Sequence, residues 1–245
     1  MFSLQITSVE GSRVRKLKTT AVIPAAGTGI RMGGDRAKQF LELGGRPLLA
    51  VTLRPFQDCV SIEAIVLVVP ADDVAYCRRE IVEKFRLDKV RKVVPGGSKR
   101  QDSVRLGIEA TEWDCDLILI HDGVRPLVDV PLIERVIDAA SAHGAVTAGL
   151  PAKDTVKEVD AGGLIIGTYD RQQVWLIQTP QAFRYKDIAE AHRRALTEGQ
   201  GATDDALLME RMGIPVRVVE GSERNIKVTT PHDLELARFL LGKGD

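Results

Sequence analysis

The stretch that decides the fold is Thr20-Ala-Val-Ile-Pro-Ala-Ala-Gly-Thr-Gly-Ile-Arg-Met-Gly33, which is followed by Lys38-Gln39-Phe40. Its apolar start, Thr20–Ile23, predicts the first strand of an α/β fold, and a glycine-rich loop follows the strand directly. Glycines allow the backbone to approach an anion and to point N–H groups at it. Since Arg31 and Lys38 add positive charge, we predict a phosphate-binding loop rather than a purely structural turn.

This loop differs from the two best-known phosphate-binding loops. The dinucleotide fingerprint is Gly-x-Gly-x-x-Gly at the start of a helix, whereas here Met32 stands in the third glycine position and Gly33 comes one residue late. The P-loop pattern, Gly-x-x-x-x-Gly-Lys-Ser/Thr, does not occur in the chain. The sequence therefore predicts an anion site of another kind.

Outward from the loop, apolar segments alternate with amphipathic ones as far as Leu150. We predict buried strands at Ala21–Pro24, Ala64–Pro70, Lys89–Val94, Asp116–His121 and Ala145–Leu150. We predict helices at Pro47–Gln57, Asp72–Phe85, Arg100–Ala110 and Pro131–Ala142. The alternation indicates an α/β fold with a Rossmann-like, mostly parallel sheet and helices on both faces. Ligands of such sheets bind beyond the carboxyl ends of the strands.

The pattern changes between Ala152 and Trp175. Strand-like runs at Thr155–Val159 and Leu164–Tyr169 flank a turn signal at Asp160–Gly163. A β-hairpin here would protrude from the sheet as an arm, and its open edges would need a partner, for which a second subunit is the simplest. The remaining predicted elements are a short strand and three helices: Pro215–Val219, Lys186–Thr197, Asp204–Met212 and Pro231–Leu241.

The bulk composition bounds the classes of function. The 245 residues suit one large domain, which we place at residues 19–245 after a lead-in of residues 1–18, with the arm at about 152–175. Lys plus Arg and Asp plus Glu both number 34, and this balance argues against broad electrostatic binding to DNA or to anionic membranes. Aromatic residues make up 4%, which disfavours stacking platforms for single strands. We therefore expect no nucleic-acid partner and no membrane partner.

The three cysteines, Cys59, Cys77 and Cys115, are far apart in the sequence. There is no Cys-x-x-Cys pair and no Cys/His cluster with zinc spacing, so we predict free thiols in a reducing compartment. The N-terminal residues are basic but lack the apolar segment of a secretion signal. These features favour a cytoplasmic protein.

Two more loops that follow predicted strands carry polar side chains. In the loop Pro95–Ser103, a Gly-Gly pair again allows close backbone approach, and Ser103 is able to donate to a base, a ribose or a phosphate; the alternative is a loop whose Ser98 caps the next helix. In the loop His121–Pro126, the carboxylate of Asp122 is able to hold Mg²⁺ or to accept from a sugar hydroxyl. The alternative there is an ion pair with Arg125. His121 is more typical of a packed, hydrogen-bonded residue than of a proton shuttle.

Further short donors and cations are spread over the C-terminal half, at Asp154-Thr155, Asp170-Arg171, Gln178-Thr179-Pro180-Gln181, Thr203-Asp204-Asp205 and Arg224–Thr229. We place each of them in a loop or at a strand end. Singly they are ordinary, since Thr203 is a suitable helix N-cap and Lys227 a suitable surface residue. Their meaning depends on whether they converge in space.

Taken together and in this order, the motifs resemble the 2-C-methyl-D-erythritol 4-phosphate cytidylyltransferase family of the non-mevalonate isoprenoid pathway, over about Thr20 to Leu241. The resemblance implies the nucleotide-diphospho-sugar transferase type of fold. It also implies a nucleotidyltransferase reaction: the phosphate of 2-C-methyl-D-erythritol 4-phosphate attacks the α-phosphorus of CTP, pyrophosphate leaves, and 4-diphosphocytidyl-2-C-methyl-D-erythritol forms.

The resemblance also implies roles for individual residues. By similarity, the triphosphate of CTP is lined by Ala25, Ala26, Gly27 and Gly29. The cytosine and its ribose are held by Gly97, Ser98 and Ser103, with Asp122 nearby. The charge on the reacting phosphorus is stabilised by Arg31 and Lys38. The acceptor is positioned by Arg171 and Lys227, together with Thr155, Arg125, Thr179 and Thr203.

A homodimer and a metal ion complete what the resemblance implies. In the family, Thr155 and Arg171 lie on the protruding arm and reach into the site of the other subunit. Mg²⁺ is expected to be bound mainly through the CTP phosphates, because the loops offer few carboxylates. Ser98 departs from the family pattern, which often has an acidic residue at this position, and this departure implies a small change in base or ribose contacts.

Two alternatives stay open. A ribitol 5-phosphate cytidylyltransferase shares the CTP half of the site, but Asp154-Thr155, Arg171 and Asn225–Thr229 favour methylerythritol phosphate as the acceptor. A non-catalytic nucleotide-binding protein could share the fold, since fold alone does not set activity. The four cations assigned to the reaction argue against that second alternative.

Overall fold

The structure is a computed structural model that describes residues 17–27 and 37–243. Its strands are β1 (Thr19–Pro24), β2 (Glu42–Leu43), β3 (Arg46–Pro47), β4 (Ile62–Val69), β5 (Val90–Pro95), β6 (Leu117–Ile120), β7 (Ala145–Pro151), β8 (Lys157–Val159), β9 (Ile165–Thr168), β10 (Trp175–Arg184) and β11 (Arg217–Glu220). Its helices are α1 (Leu48–Asp58), α2 (Val74–Tyr76), α3 (Arg100–Glu109), α4 (Val130–His143), α5 (Tyr185–Thr197), α6 (Asp205–Arg211) and α7 (Pro231–Gly242). Single 3₁₀ turns lie at Lys38–Phe40, Ala71–Asp73 and Arg171–Gln173, and α2 continues as a π-helix over Cys77–Glu83.

A seven-stranded sheet in the order β11-β7-β10-β6-β1-β4-β5 forms the centre of the molecule. Neighbouring strands are parallel except around β10, which is antiparallel to both β6 and β7. The residues of β6 are apolar and buried without alternation, as are most of those of β4, because helices cover both faces of the sheet. This confirms the predicted α/β class and the mostly parallel sheet.

Each face of the sheet carries its own layer of helices. On one face, Leu53 of α1 and Leu132 of α4 pack with apolar side chains of the sheet. On the other face, Val104 of α3 and Ile188 of α5 do so. Helix α3 lies so close to the sheet that a Cβ atom on Gly107 would come within 2.5 Å of a Val22 methyl group. Burial of each large apolar side chain stabilises the fold by about 2 kcal/mol, so this double layer fixes the strand ends that carry the loops.

Strand β10 is the strand of the central sheet that the sequence does not predict. Its ten residues include Gln178–Gln181, which the sequence pattern places in a loop or at a strand end. Pro180 has no N–H to give to a neighbouring strand, and the register between β10 and β7 shifts between Ile177 and Gln181. The prediction for this segment was wrong because polar residues and a proline are not typical of a strand in the middle of a sheet.

The predicted arm is present as a separate two-stranded sheet formed by β8 and β9. The carboxylate of Asp160 accepts from the N–H groups of Gly162 and Leu164 and so closes the turn between the strands. Large apolar side chains of this region are exposed, namely Val159, Leu164, Ile165, Ile166, Tyr169, Leu176 and Ile177. The arm therefore carries an apolar surface that the chain itself does not cover.

None of the helices in the described ranges is both long and apolar enough to cross a membrane. Cys59, Cys77 and Cys115 are free thiols, and burial raises the pKa of each. Of the predicted lead-in, residues 1–18, the first sixteen residues lie outside the described part of the chain.

Candidate active site

Loops that follow β1, β5 and β6 meet in one cleft of about 310 Å³ at the carboxyl edge of the sheet. The described residues that line it are Pro24, Ala25, Ala26, Gly27, Lys38, Gln39, Gly97, Ser98, Lys99, Arg100, Ser103, Asp122, Val124 and Lys227. Because the carboxyl ends of parallel strands share an edge, the described residues on either side of the gap in the glycine-rich loop and the two later loops come together as the sequence predicts.

Gly96 brings the first and second loops into contact, and Gly97 packs against the first turn of α3. A Cβ atom on Gly96 would lie 2.3 Å from the Cβ atom of Ala26, so no larger residue fits between the loops. A Cβ atom on Gly97 would lie 2.4 Å from the Cβ atom of Asp102. The N–H of Gly97 donates to the hydroxyl of Ser103 at 3.2 Å. The hydroxyl of Ser103 donates in turn to the carbonyl of Lys99 at 3.2 Å, so these bonds hold the shape of this wall of the cleft.

The second loop ends in the first turn of α3, and its capping differs from the alternative that the sequence leaves open. The N-cap is Lys99, not Ser98, and the hydroxyl of Ser98 donates to the carboxylate of Asp102 at 3.2 Å. The same carboxylate accepts from the N–H of Lys99. Since the N-terminus of α3 borders the cleft, the helix dipole adds positive potential there.

Asp122, directly after β6, is the carboxylate at the centre of the cleft floor. Its Oδ1 accepts from Nε of Arg100 at 2.7 Å, and its Oδ2 lies 2.7 Å from Nζ of Lys227. Burial alone would raise the pKa of Asp122, but the charges of Arg100 and Lys227 outweigh burial and hold this pKa far below its ordinary value. Asp122 is therefore an anion that orients two cations.

The ion pair between Asp122 and Arg125, the alternative reading of this loop, is the weakest of the contacts of Asp122. Nε of Arg125 lies 3.9 Å from Oδ2 of Asp122. The guanidinium of Arg125 instead donates to the carbonyl of Asn225 at 2.7 Å. The closer partners of Asp122 come from α3 and from the loop before α7, so the carboxylate links distant segments.

His121 and Thr179 support Asp122 from behind. The hydroxyl of Thr179 accepts from the N–H of Asp122 at 3.1 Å and lies 3.1 Å from Nδ1 of His121. Nε2 of His121 lies 3.1 Å from the carbonyl of Arg125, which only accepts, so the hydrogen-bond pattern assigns the proton to Nε2. Burial lowers the pKa of His121 to about 4. The residue is thus a neutral packing and hydrogen-bonding element.

The loop that carries Lys227 is clamped to the rest of the site. The amide of the buried Asn225 donates to the carbonyl of Thr179 at 2.7 Å. The N–H of Val228 donates to the carbonyl of Val124 at 2.8 Å. These bonds on either side of Lys227 fix its backbone against β10 and against the loop of Asp122.

The structure brings together most, but not all, of the residues predicted for the site. In the cleft lie Ala25, Ala26, Gly27, Lys38, Gly97, Ser98, Ser103, Asp122 and Lys227. Thr179 and Arg125 lie behind it, as described above. Gly29 and Arg31 belong to a segment outside the described residues.

Three predicted acceptor residues lie away from the cleft. Thr203 is exposed beside a separate groove, and Asp204, not Thr203, is the N-cap of α6. Thr155 and Arg171 are exposed on the arm, where Nη1 of Arg171 donates to the carbonyl of Lys153 at 3.1 Å. Within one chain, the cleft therefore contains Lys227 but not Arg171.

The sequence pattern assigned no role to Arg100 or Asp205, although Arg100 lies in the loop Pro95–Ser103 and Asp205 in the motif Thr203-Asp204-Asp205. Nη1 of Arg100 donates to Oδ2 of Asp205 at 2.8 Å, and Oδ1 of Asp205 lies 3.0 Å from Nε2 of His192. Residues 100 and 205 are 105 positions apart, so no local pattern connects them. The only available signal was their position at the starts of two predicted helices.

The described residues offer no preformed metal cage. No group of three or more His, Cys, Asp or Glu side chains among them is arranged to hold a metal ion. The carboxylate of Asp122 already accepts from two cations.

A family model and the similar proteins described next carry the same family description. Residues 19–243 match the family model described as 2-C-methyl-D-erythritol 4-phosphate cytidylyltransferase. A protein of that name from Syntrophus aciditrophicus is 47% identical over 228 residues, which are 93% of this chain and 97% of that protein. Another, from Geobacter metallireducens, is 48% identical over 224 residues, 90% of this chain and 96% of that protein.

Solved structures agree with the sequence relatives. The crystal structure of 4-diphosphocytidyl-2C-methyl-D-erythritol synthase from Anaerococcus prevotii superimposes with a TM-score of 0.82 at 34% identity, covering 93% of this chain and 100% of that one. The crystal structure of 2-C-methyl-D-erythritol 4-phosphate cytidylyltransferase from Thermus thermophilus gives a TM-score of 0.74 at 34% identity, covering 91% and 98%.

Proposed function

The chain belongs to the 2-C-methyl-D-erythritol 4-phosphate cytidylyltransferase family, and we propose that the cleft described above is where it joins CTP to its acceptor. As a nucleotidyltransferase of this family, it transfers CMP from CTP to 2-C-methyl-D-erythritol 4-phosphate and releases pyrophosphate. The product is 4-diphosphocytidyl-2-C-methyl-D-erythritol, an intermediate in isoprenoid precursor biosynthesis.

The observation that carries the proposal is the convergence of three strand-end loops with Lys38 and Lys227 on one cleft. Ala26 and Gly27 offer backbone N–H groups to the triphosphate of CTP, and Ala25, whose own N–H donates to the carbonyl of Val68, lines it. Gly97, Ser98 and Ser103 offer donors and acceptors to the cytosine and its ribose. In this assignment the nucleotide lies along the carboxyl edge of the sheet, with its phosphates toward Lys38.

The charges of the cleft suit a reaction between two anions. Its described lining contains four cationic side chains, Lys38, Lys99, Arg100 and Lys227, and the single carboxylate of Asp122. Transfer at a phosphorus centre depends on positioning and on fixed positive charge where negative charge develops. Lys38 stabilises the charge on the α-phosphate and the departing pyrophosphate, and we assign the same role to Arg31 of the glycine-rich loop.

Lys227 is the cation that meets the acceptor. One of its three ammonium protons points to Asp122, and the two others serve the phosphate of 2-C-methyl-D-erythritol 4-phosphate. That phosphate is already ionised, so the attack needs no strong general base. The neutral His121, whose two ring nitrogens are both hydrogen-bonded, is accordingly left out of the proton chemistry.

The acceptor half of the site is completed by a second copy of the chain. We assign Arg171 and Thr155 of the arm to the cleft of a partner subunit in a homodimer. Both are exposed and absent from the cleft of their own chain, and the arm presents apolar side chains to its surroundings. Thr203, Thr179 and Arg125 are assigned to the same acceptor half.

Mg²⁺ fits this site when it is bound to the phosphates of CTP rather than directly to the protein. Both oxygens of Asp122 face cations, so the carboxylate is a poor partner for a bare divalent ion. When bound to the triphosphate, Mg²⁺ supplies charge that neutralises the phosphate oxygens. We place the protein in the bacterial cytoplasm, because its three cysteines are free thiols and the relatives named above are bacterial.

The proposal is tested with purified protein, CTP and Mg²⁺, by measuring pyrophosphate release and identifying the product by mass spectrometry. Ribitol 5-phosphate serves as the matched acceptor, since it shares the phosphate and the polyol but not the branched carbon skeleton. We expect turnover with 2-C-methyl-D-erythritol 4-phosphate to exceed that with ribitol 5-phosphate by about a hundredfold or more. Faster turnover of ribitol 5-phosphate, or no pyrophosphate release with either, would overturn it.

A further inference from the structure

A line of charged and polar groups runs from the cleft into the C-terminal half of the chain. It starts at Lys227, whose Nζ lies 2.7 Å from Asp122. Asp122 is 2.7 Å from Nε of Arg100, and Nη1 of Arg100 is 2.8 Å from Asp205. Asp205 ends the line at Nε2 of His192, 3.0 Å away. Each contact is within hydrogen-bond distance, so the five groups are mechanically connected.

The far end of this line lies inside the protein. Asp205 and His192 are each 1% exposed, and they join the start of α6 to α5. A buried ion pair is a weak source of stability, because desolvation offsets most of the attraction between the charges. Stability alone therefore explains poorly why the start of α6 presents a carboxylate to Arg100.

We propose that Asp205 is a positioning residue for the transfer reaction, which acts by dividing Arg100 between two carboxylates. Because Asp205 holds Nη1, Arg100 gives only Nε to Oδ1 of Asp122. Oδ2 of Asp122 is then left for Lys227, whose ammonium is aimed into the cleft. This inference rests on the proposed function, since Lys227 is there the cation that meets the acceptor.

The geometry of Arg100 shows what the loss of Asp205 would do. Nη2 of Arg100 is buried and has no hydrogen-bond partner among the described residues. Without Asp205, Nη1 would lose its partner too, and the planar guanidinium would turn its fork onto both oxygens of Asp122. Lys227 would then lose its anchor, and its ammonium would no longer be held at the acceptor.

His192 fixes the orientation of Asp205. Its Nε2–H donates to Oδ1, so Oδ2 is the oxygen that faces Arg100. Burial opposes the ionised form of Asp205, but the charge of Arg100 and the hydrogen bond from His192 keep its pKa below the ordinary value. The carboxylate is thus held charged and oriented on both sides.

The test is the substitution Asp205→Asn, which nearly preserves volume, removes the charge and leaves one acceptor oxygen for the two donors His192 and Arg100, so that Nη1 of Arg100 loses its charged partner. We expect kcat with CTP and 2-C-methyl-D-erythritol 4-phosphate to fall about tenfold, as for a modest misplacement of a group at the reacting centre. Asp204→Asn is the matched control, because it makes the same change one residue earlier, where the side chain caps α6 and does not touch Arg100. It should leave kcat within about twofold of the unchanged protein.

Two backgrounds separate positioning from a general loss of structure. In Lys227→Met, the additional change Asp205→Asn should have almost no effect on kcat, because the group it positions is gone. In Lys38→Ala, it should still cost about tenfold, since Lys38 lies outside the line. A merely structural role would lower kcat by the same factor in both backgrounds.

The outcomes distinguish this inference from the proposed function. An unchanged protein without turnover of 2-C-methyl-D-erythritol 4-phosphate refutes the proposed function. An active protein in which Asp205→Asn is neutral, or equally harmful in both backgrounds, overturns the positioning role alone. If Asp205→Asn does not fold, His192→Gln takes its place, with about a threefold loss that again disappears in Lys227→Met.

Discussion

The cleft and the arm are built on opposite principles. In the cleft, Asp122 is 5% exposed, its carboxylate is held by two cations, and Gly96 brings two loops into contact. On the arm, Leu164 and Ile166 are 68% and 59% exposed, and the strands β8 and β9 pair only with each other in the described chain. The cleft is ordered by the fold of its own chain, whereas the arm leaves its apolar side chains to be covered by something else.

This difference indicates which binding groups one chain supplies to its own cleft and which come from a second copy. The described groups assigned to CTP come from the strand ends of the mostly parallel sheet of a single chain. Two of the groups assigned to the acceptor, Thr155 and Arg171, sit on the exposed arm. We therefore expect the chain to bind CTP without a partner but to require a second copy for transfer.

The largest effect on turnover is expected when a cation is removed from the cleft. Lys38→Ala should lower kcat by at least about a hundredfold, equivalent to about 3 kcal/mol of transition-state stabilisation. The dissociation constant for CTP, measured by calorimetry, should change by less than about threefold, because the backbone loops still hold the nucleotide. Arg31→Ala should behave in the same way. Equal losses in CTP affinity and in turnover would contradict this role, and the surface change Lys84→Ala is the control.

The next test concerns the arm alone. Arg171→Ala should lower kcat by about a hundredfold with CTP affinity unchanged. Mixing Arg171→Ala with Lys38→Ala chains should restore about half of the normal activity in each mixed dimer, because one of its two sites then has both cations. Activity is measured on mixed dimers purified with two different tags. If Arg171 serves its own chain, no site in the mixed dimer is intact and no recovery follows.

The apolar surface of the arm offers a test of association. Leu164→Asp combined with Ile166→Asp should weaken the dimer by at least about a hundredfold, since covering each side chain contributes roughly 2 kcal/mol. Sedimentation velocity measures the association, and Val60→Asp is the control at a site 71% exposed elsewhere on the surface. The thermal midpoint of the separated chain should stay unchanged. An intact dimer would show that the arm is not the interface.

The buried side of the cleft predicts a pH dependence of stability. Burial lowers the pKa of His121 from 6.5 to about 4. As pH falls below 6.5, the unfolded chain therefore binds a proton that the folded chain does not, and the free energy of unfolding decreases until about pH 4. The loss is about 3 kcal/mol at about 1.4 kcal/mol per pKa unit.

Urea denaturation between about pH 8 and about pH 4.5 measures this effect, with His121→Gln as the comparison that removes the titrating ring. The curve of His121→Gln should be flatter by most of that loss. The lowered pKa values of Asp122 and Asp205 act in a separate window, because their contribution is lost only as pH falls below about 4, the ordinary value for an aspartate. Identical pH dependence in the two proteins would contradict the buried, neutral state of His121.

The smallest expected effect is at Ser98. Its hydroxyl donates to Asp102, which also accepts from the N–H of Lys99, so the loop keeps its main tether when the hydroxyl is lost. Ser98→Ala should change kcat/KM for CTP by no more than about threefold, the equivalent of one hydrogen bond of roughly 0.5 kcal/mol. A larger loss would mean that Ser98 contacts the nucleotide more strongly than its departure from the family pattern implies.

Much of the fold could be predicted because its signals are local. The prediction Arg100–Ala110 became α3 (Arg100–Glu109), and Pro131–Ala142 became α4 (Val130–His143), since an amphipathic period is visible in any short window. β10 could not be found in this way. Its central residues, Gln178–Gln181, are polar apart from one proline. Gln181 donates to Asp204 and Gln178 accepts from Asn225, so these side chains do not show the alternating apolar pattern of a strand.

The site shows the same limit. That the loops after parallel strands meet follows from the topology, and Lys38 and Asp122 were found on that basis, whereas the role of Lys227 was implied only by the resemblance to the family. Which cation pairs with Asp122 did not follow, because the local pattern suggests Arg125 three residues on, whereas the fold supplies Arg100 and Lys227. Contacts between distant segments depend on packing that a single sequence does not display.

The exposed arm has a consequence for how catalysis scales with the amount of protein. If each acceptor site is completed by a neighbouring molecule, the specific activity of a dilute preparation falls as pairs separate, while nucleotide binding per molecule stays constant. Dilution would then act as a reversible off-switch that affects product formation alone.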